Sequence, residues 1–158
     1  SVEELADRLL PFLERDLPPD VLPVNWDYLL RIVPLIQQRT KLLSDAANLT
    51  SYFFRAEAGY DPLSLVQKGM DRESALAALA AAGEDLAKAA RFEHQAMEES
   101  LRAVAARLGL SARQFFGTLR VAATGREATP PLFETMEVLG RAQVLERVES
   151  AIELLKAV

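Results

Sequence analysis

Apolar residues recur at spacings of three and four along most of this chain, and no stretch alternates apolar and polar positions between turn residues as a surface strand would. An all-α fold is therefore predicted. Ser1 is placed to cap a first helix reaching about residue 15, and the three prolines of Leu17-Pro-Pro-Asp-Val-Leu-Pro23 forbid its continuation. Asn25 caps a second helix, predicted over about residues 26–43 with a kink at Pro34. Ser44 restarts a shorter helix that ends near Phe53 and Phe54. Gly59-Tyr-Asp-Pro62 then breaks the chain, and a short turn leads to Gly69.

Asp71 opens an alanine-rich helix over about residues 74–90, where high helix propensity combines with side chains small enough to admit a close neighbour. The next helix, about 93–108, is stopped by Gly109 in a left-handed cap. Ser111 and Gln114 form the two ends of a capping box, and Gly125 closes the helix that follows. Thr129-Pro-Pro-Leu starts a short helix with proline at its first position, and a last helix covers about 141–156. The break between residues 56 and 70 divides the chain into an N-terminal helical lobe, 1–60, and a C-terminal one, 61–158, with no internal repeat.

A chain of 158 residues buries roughly 70% of its unfolded surface and needs no staple. It has no cysteine, which removes disulfides and thiolate metal sites and agrees with a reducing compartment. The apolar runs are far shorter than the roughly 20 residues that span a bilayer, and the N-terminus lacks the basic flank of a signal peptide. A cytoplasmic monomer with no membrane partner is expected. Because the chain begins at Ser1 rather than Met, and directly with an amphipathic helix, a portion cut from a longer protein is expected as well.

Charge changes this picture most. The net charge is -5, yet residues 1–100 hold ten Lys/Arg against seventeen Asp/Glu, whereas residues 101–158 hold eight against six. Residues 101–126 carry Arg102, Arg107, Arg113, Arg120 and Arg126 and no acidic residue. At physiological salt a charge is felt over about 8 to 10 Å, so a net acidic protein still binds an anion wherever its basic groups cluster. Arg113 and Arg120, seven residues apart, lie within about 20° of one another on one helical stripe, with Phe115, Leu119 and Ala122 on the opposite side. Spacing leaves two readings open: these arginines pair with carboxylates, or they meet a nucleic acid. The Thr129 hydroxyl, held rigidly before Pro130 and Pro131, is likewise placed either to cap the next helix or to contact a ligand.

Catalysis finds little support. The one histidine, His94, has Glu98 four residues on, but a single His and carboxylate fall short of the three or four ligands of a zinc site, so no metal is expected. Glu84-Asp85 and Glu98-Glu99 lie on amphipathic helices where charge marks the solvent face. No glycine-rich phosphate loop is present, and nucleophile-base pairs are excluded almost entirely by the lack of Cys and of a second His.

The strings Gln114-Phe-Phe-Gly-Thr-Leu-Arg-Val-Ala-Ala-Thr-Gly-Arg126, Thr129-Pro-Pro-Leu-Phe-Glu134 and Val138-Leu-Gly-Arg141 resemble the C-terminal anticodon-binding region of bacterial glutamyl-tRNA synthetases. Ile36-Gln-Gln-Arg-Thr-Lys-Leu-Leu-Ser-Asp45 and Tyr52-Phe-Phe54 extend the likeness across nearly the whole chain, most weakly over residues 56–91. The resemblance implies the two-lobed helical cage of class I synthetases and, as partners, the tRNA(Glu) anticodon stem-loop and the catalytic domain of the same parent chain. By the resemblance, Arg120 contacts the anticodon, and Thr129, Pro130 and Leu132 form the loop against its bases. Arg39 reads the third anticodon base, and the remaining site arginines, Arg113 and Arg126, hold phosphates. The adenylate-forming signatures of the family are absent, so this fragment is expected to be non-catalytic and without cofactor, ATP and Mg belonging to the missing catalytic domain. A stand-alone helical protein-interaction scaffold on the same fold is the alternative.

Overall fold

A computed structural model describes all 158 residues, and every regular element in it is helical. The chain divides into two compact units, Ser1–Glu57 and Ala58–Val158, against an expected division after residue 60.

The first unit holds α1 (Val2–Asp16), α2 (Trp26–Ile36) and α3 (Ala46–Phe54). Ser1 caps α1 in a full capping box with Glu4, and the Asn25 side chain accepts the Tyr28 amide to start α2. Leu9 and Leu13 of α1 pack with Leu29, Ile32 and Ile36 of α2 and Phe53 of α3, all buried. The Tyr28 hydroxyl donates to Phe53 O at 2.7 Å and ties α2 to the end of α3. Helix α2 is shorter than predicted, stopping two residues after Pro34 rather than running to 43. Its last carbonyl, Ile36 O, is taken by three donors: the amides of Arg39 and Thr40 (2.9 and 3.0 Å) and the Thr40 hydroxyl (2.9 Å). A side-chain hydroxyl competing for the helix ladder turns the chain out. Residues 37–39 become an exposed turn, and a 3₁₀ turn at Leu43–Asp45 precedes α3 where a continuous helix from Ser44 was expected.

The second unit begins with a 3₁₀ turn, Pro62–Leu65, and continues through α4 (Arg72–Lys88), α5 (His94–Arg107), α6 (Ala112–Thr124), α7 (Leu132–Leu139) and α8 (Arg141–Lys156). Its frame is the antiparallel pair of α4 and α8. Ala75, Ala78, Leu79 and Ala82 of α4 are buried along with Val144, Val148 and Ala151 of α8, and a Cβ placed at Gly83 would stand 3.5 Å from Val148 Cγ1. Each helix also closes the other's carboxyl end. Arg72, opening α4, donates to Leu155 O (3.0 Å) and Lys156 O (2.6 Å), and Arg141, opening α8, donates to Ala87 O (3.2 Å) and Ala89 O (2.7 Å). The last carbonyls of a helix have no partner within it and carry its negative dipole end, so a guanidinium satisfies both needs. Helix α6 packs beside this pair and grips the entry segment: Thr118 Oγ1 donates to Leu65 O (2.7 Å) and Gln114 Nε2 to Lys68 O (3.1 Å).

Replacing Arg141 by alanine is expected to cost the second unit about 1 to 2 kcal/mol, the worth of charge-assisted bonds to helix-end carbonyls. Arg141→Lys should recover part of this, and thermal unfolding of the two variants measures it. A pH dependence is also expected at the start of α4. The Asp71 carboxylate accepts the Ser74 amide at 2.7 Å, which holds its pKa below the ordinary aspartate value. Its stabilising effect is therefore complete at neutral pH and fades as pH falls below about 4. Asp71→Asn should flatten that part of an acid titration of Tm.

Candidate nucleic-acid interface

Helix α6 and the loop behind it bring most of the sequence-predicted site residues together. The α6 capping box is formed as the sequence suggests, with Ser111 Oγ accepting the Gln114 amide (3.1 Å) and Gln114 Oε1 accepting the Ser111 amide (3.0 Å). Phe115, Leu119 and Ala122 are buried, which turns the opposite stripe outward. On that stripe Arg113 is exposed and makes neither a hydrogen bond nor an ion pair, while Arg120 is half-buried.

Gly125 ends α6 in the left-handed region, at φ 73°, a conformation that costs a Cβ-bearing residue about 1 to 2 kcal/mol. Thr124 reinforces the turn: its buried hydroxyl donates to Arg120 O at 2.7 Å and accepts the Arg126 amide at 3.1 Å. Sequence reasoning assigned Thr124 no role. A threonine just before a capping glycine was the signal for it.

Across the loop, Arg120 Nη1 donates to Thr129 Oγ1 and to Pro130 O (2.9 Å), and the Thr129 hydroxyl donates to Pro130 O (2.9 Å). This closed set of hydrogen bonds fastens the loop to α6. Thr129 is 6% exposed, Leu132 is 3% exposed and Pro130 is buried, whereas Glu127, Ala128 and Pro131 face solvent and Arg126 is half-buried. The Thr129 hydroxyl therefore does not cap α7. Pro131 stands at the N-cap of α7, so the helix starts after both prolines rather than with proline at its first position, and the Pro131 carbonyl accepts the Thr135 amide at 3.0 Å.

The other arginines of residues 101–126 are less uniform than the linear run implies. Arg102 pairs with Glu98 (3.1 Å) and lies over the Phe116 ring, 5.4 Å from its centroid. Outside that run, Arg147 is buried and donates to Ala123 O at 2.8 Å, closing the carboxyl end of α6. His94 and Glu98 do not pair with one another: His94 Nδ1 lies 3.2 Å from Glu137 Oε2, its amide donates to Glu137 Oε1 at 3.3 Å, and Glu98 takes Arg102. Of the acidic pairs, Glu84 accepts from Lys88 (2.8 Å) and Asp85 from Ser100 (2.7 Å). In the first unit Arg39 lies in the turn after α2, exposed beside Gln37 and Gln38, with its guanidinium engaged in no hydrogen bond or ion pair.

An all-helical fold that displays unpaired arginines and a proline-braced loop presents a surface suited to an anionic partner. The family model described as an anticodon binding domain matches residues 4–152, and the chain belongs to that family. The relatives are more particular. Glutamate–tRNA ligase of Roseiflexus castenholzii is 44% identical over 99% of this chain and 31% of its own length, and that of Dehalococcoides mccartyi is 44% identical over 96% and 32%. The chain thus spans about a third of the length of these relatives. Among solved structures, a glutamate tRNA ligase from Elizabethkingia meningosepticum superposes with a TM-score of 0.81 at 21% identity, over 97% of this chain and 29% of that one, and so shares its fold. No helix here is long and apolar enough to cross a membrane.

Thr124→Val, which keeps the shape but leaves the Arg126 amide without its acceptor, should cost about 1 to 3 kcal/mol. Chemical denaturation of the variant against the parent chain measures it.

Proposed function

We propose that this chain recognises the anticodon of tRNA(Glu) on behalf of a larger glutamate–tRNA ligase. The remainder of the parent chain supplies the ATP- and Mg-dependent ligation, and this part contributes no catalytic residue and no cofactor. Its setting is the cytoplasm, and it acts as a monomer. The observation that carries the proposal is the loop of residues 126–131, fastened to a helix whose outward stripe bears Arg113, in a chain 44% identical to glutamate–tRNA ligases over almost its full length. Sequence in RNA is read chiefly from unstacked loop bases, by hydrogen bonds to their edges and by stacking against planar or apolar groups. A shaped loop beside guanidinium groups offers both. Arg39, Arg113 and Arg126 are assigned to RNA contact, and Arg120, Thr129, Pro130 and Leu132 to the loop that meets the bases.

A helical scaffold for a protein partner is the second reading. It is favoured by a groove of about 410 Å³ between α4 and α8, floored by Leu79, Gly83 and Val148 and rimmed by Glu84, Glu149 and Glu153. With Lys156 also on the lining, the groove is net acidic, and its residues are none of those assigned to RNA contact.

Titration of tRNA into the chain at several salt concentrations tests the proposal. With about three to five phosphates engaged, log K should fall against log salt with a slope of roughly -2 to -4. Arg113→Ala should weaken all tRNAs alike, whereas Arg120→Ala should weaken tRNA(Glu) most. Equal affinity for every tRNA, or a flat salt response, would sink the reading.

A further inference from the structure

We propose that Arg120 acts through Nη1 as a positioning residue, which presets the loop of residues 126–131 in its RNA-competent shape before RNA arrives, rather than reading bases through that nitrogen. The inference rests on the anticodon-recognition reading above and deepens it.

Hydrogen-bond accounting carries the argument. Nη1 of a guanidinium has two protons, and in Arg120 they go to Thr129 Oγ1 and Pro130 O. The single hydroxyl proton of Thr129 goes to the same Pro130 carbonyl, and Thr129 is buried. Addressing a base edge with Nη1 or with the Thr129 hydroxyl would first break this closed set and leave buried polar groups without partners, which is costly.

The loop needs such a fastening. Proline fixes φ only at Pro130 and Pro131, and the other end is held at Gly125 by the Thr124 hydroxyl between Arg120 O and the Arg126 amide. Between these points Arg126, Glu127 and Ala128 have no regular secondary structure. Arg120 thus meets both ends of the loop, through its carbonyl at one and its guanidinium at the other. A segment ordered in advance spares binding the entropy of ordering it.

The test is a double-mutant cycle on the whole chain, with an anticodon stem-loop RNA of tRNA(Glu) and the same stem-loop with its middle anticodon base replaced as probes. Arg120→Ala and Thr129→Val should each weaken the cognate stem-loop about tenfold and reduce discrimination by the same factor. Combined they should do no more than either alone, the non-additivity of two groups that act through one contact. Thr129→Ser, which keeps the hydroxyl, should restore both readouts. In RNA-free protein, amide exchange at residues 126–129 should speed up in Arg120→Ala and Thr129→Val and return to the parent rate in Thr129→Ser, while exchange within α4 stays unchanged.

Losses that multiply in the double variant, or binding that survives Thr129→Val but not Arg120→Ala, would overturn the proposal in favour of a direct reader. Unchanged loop exchange in Arg120→Ala would overturn it as well. A parent chain that binds both stem-loops equally would count instead against the anticodon reading, and the RNA-free exchange measurement separates the two failures.

Discussion

The second unit depends on the way α4 and α8 finish one another. An alanine-rich helix offers little side-chain area for burial, so its stability must come from close approach and from satisfying its ends. Gly83 and the alanines supply the approach. Arg72 and Arg141 supply the ends, each leaving the first turn of its own helix to reach the last carbonyls of the other. The arrangement also fixes register, because sliding one helix along its neighbour by a turn would carry both guanidinium groups past their acceptors at once. Arg147, from the middle of α8, extends the same device to α6 through Ala123 O.

The loop behind α6 inherits this rigidity. Its root is the carboxyl end of α6, where Ala123 O is held by Arg147, Thr124 knots the backbone and Gly125 reverses it. Guanidinium groups thus serve different ends in this protein. Those of Arg72, Arg141 and Arg147 are spent on helix ends, and those of Arg39 and Arg113 point into solvent with no internal partner.

What the sequence made legible was local. The caps at Ser1, Asn25, Asp71 and Ser111, and the left-handed glycines 109 and 125, act within four residues, so their partners stand beside them in the string. The end of α2 was not legible in this way. Nothing in the pattern shows that three donors converge on Ile36 O, and Pro34 alone predicts a kink rather than a stop. The helix-end arginines were hidden for another reason: Arg72 and Arg141 reach acceptors more than fifty residues away, and those acceptors are backbone atoms that every sequence contains. Arg102 was misjudged by framing, since its carboxylate partner, Glu98, lies just before the acid-free run. For Thr129 the capping reading missed the observed arrangement, in which Arg120 of α6 donates to the hydroxyl and the hydroxyl caps nothing.

The two prolines of the loop have one more consequence. Neither has an N–H, Pro130 O is occupied by Arg120 and Thr129, and Pro131 O already accepts the Thr135 amide. At this point the backbone has no proton to give and little acceptor capacity to spare, so whatever rests on Pro131 meets mainly ring carbon. Such a ledge selects by shape and by dispersion, forces that are nearly blind to ionic strength. Any binding that drew on the ledge would persist in buffers concentrated enough to screen the attraction between arginines and an anionic partner.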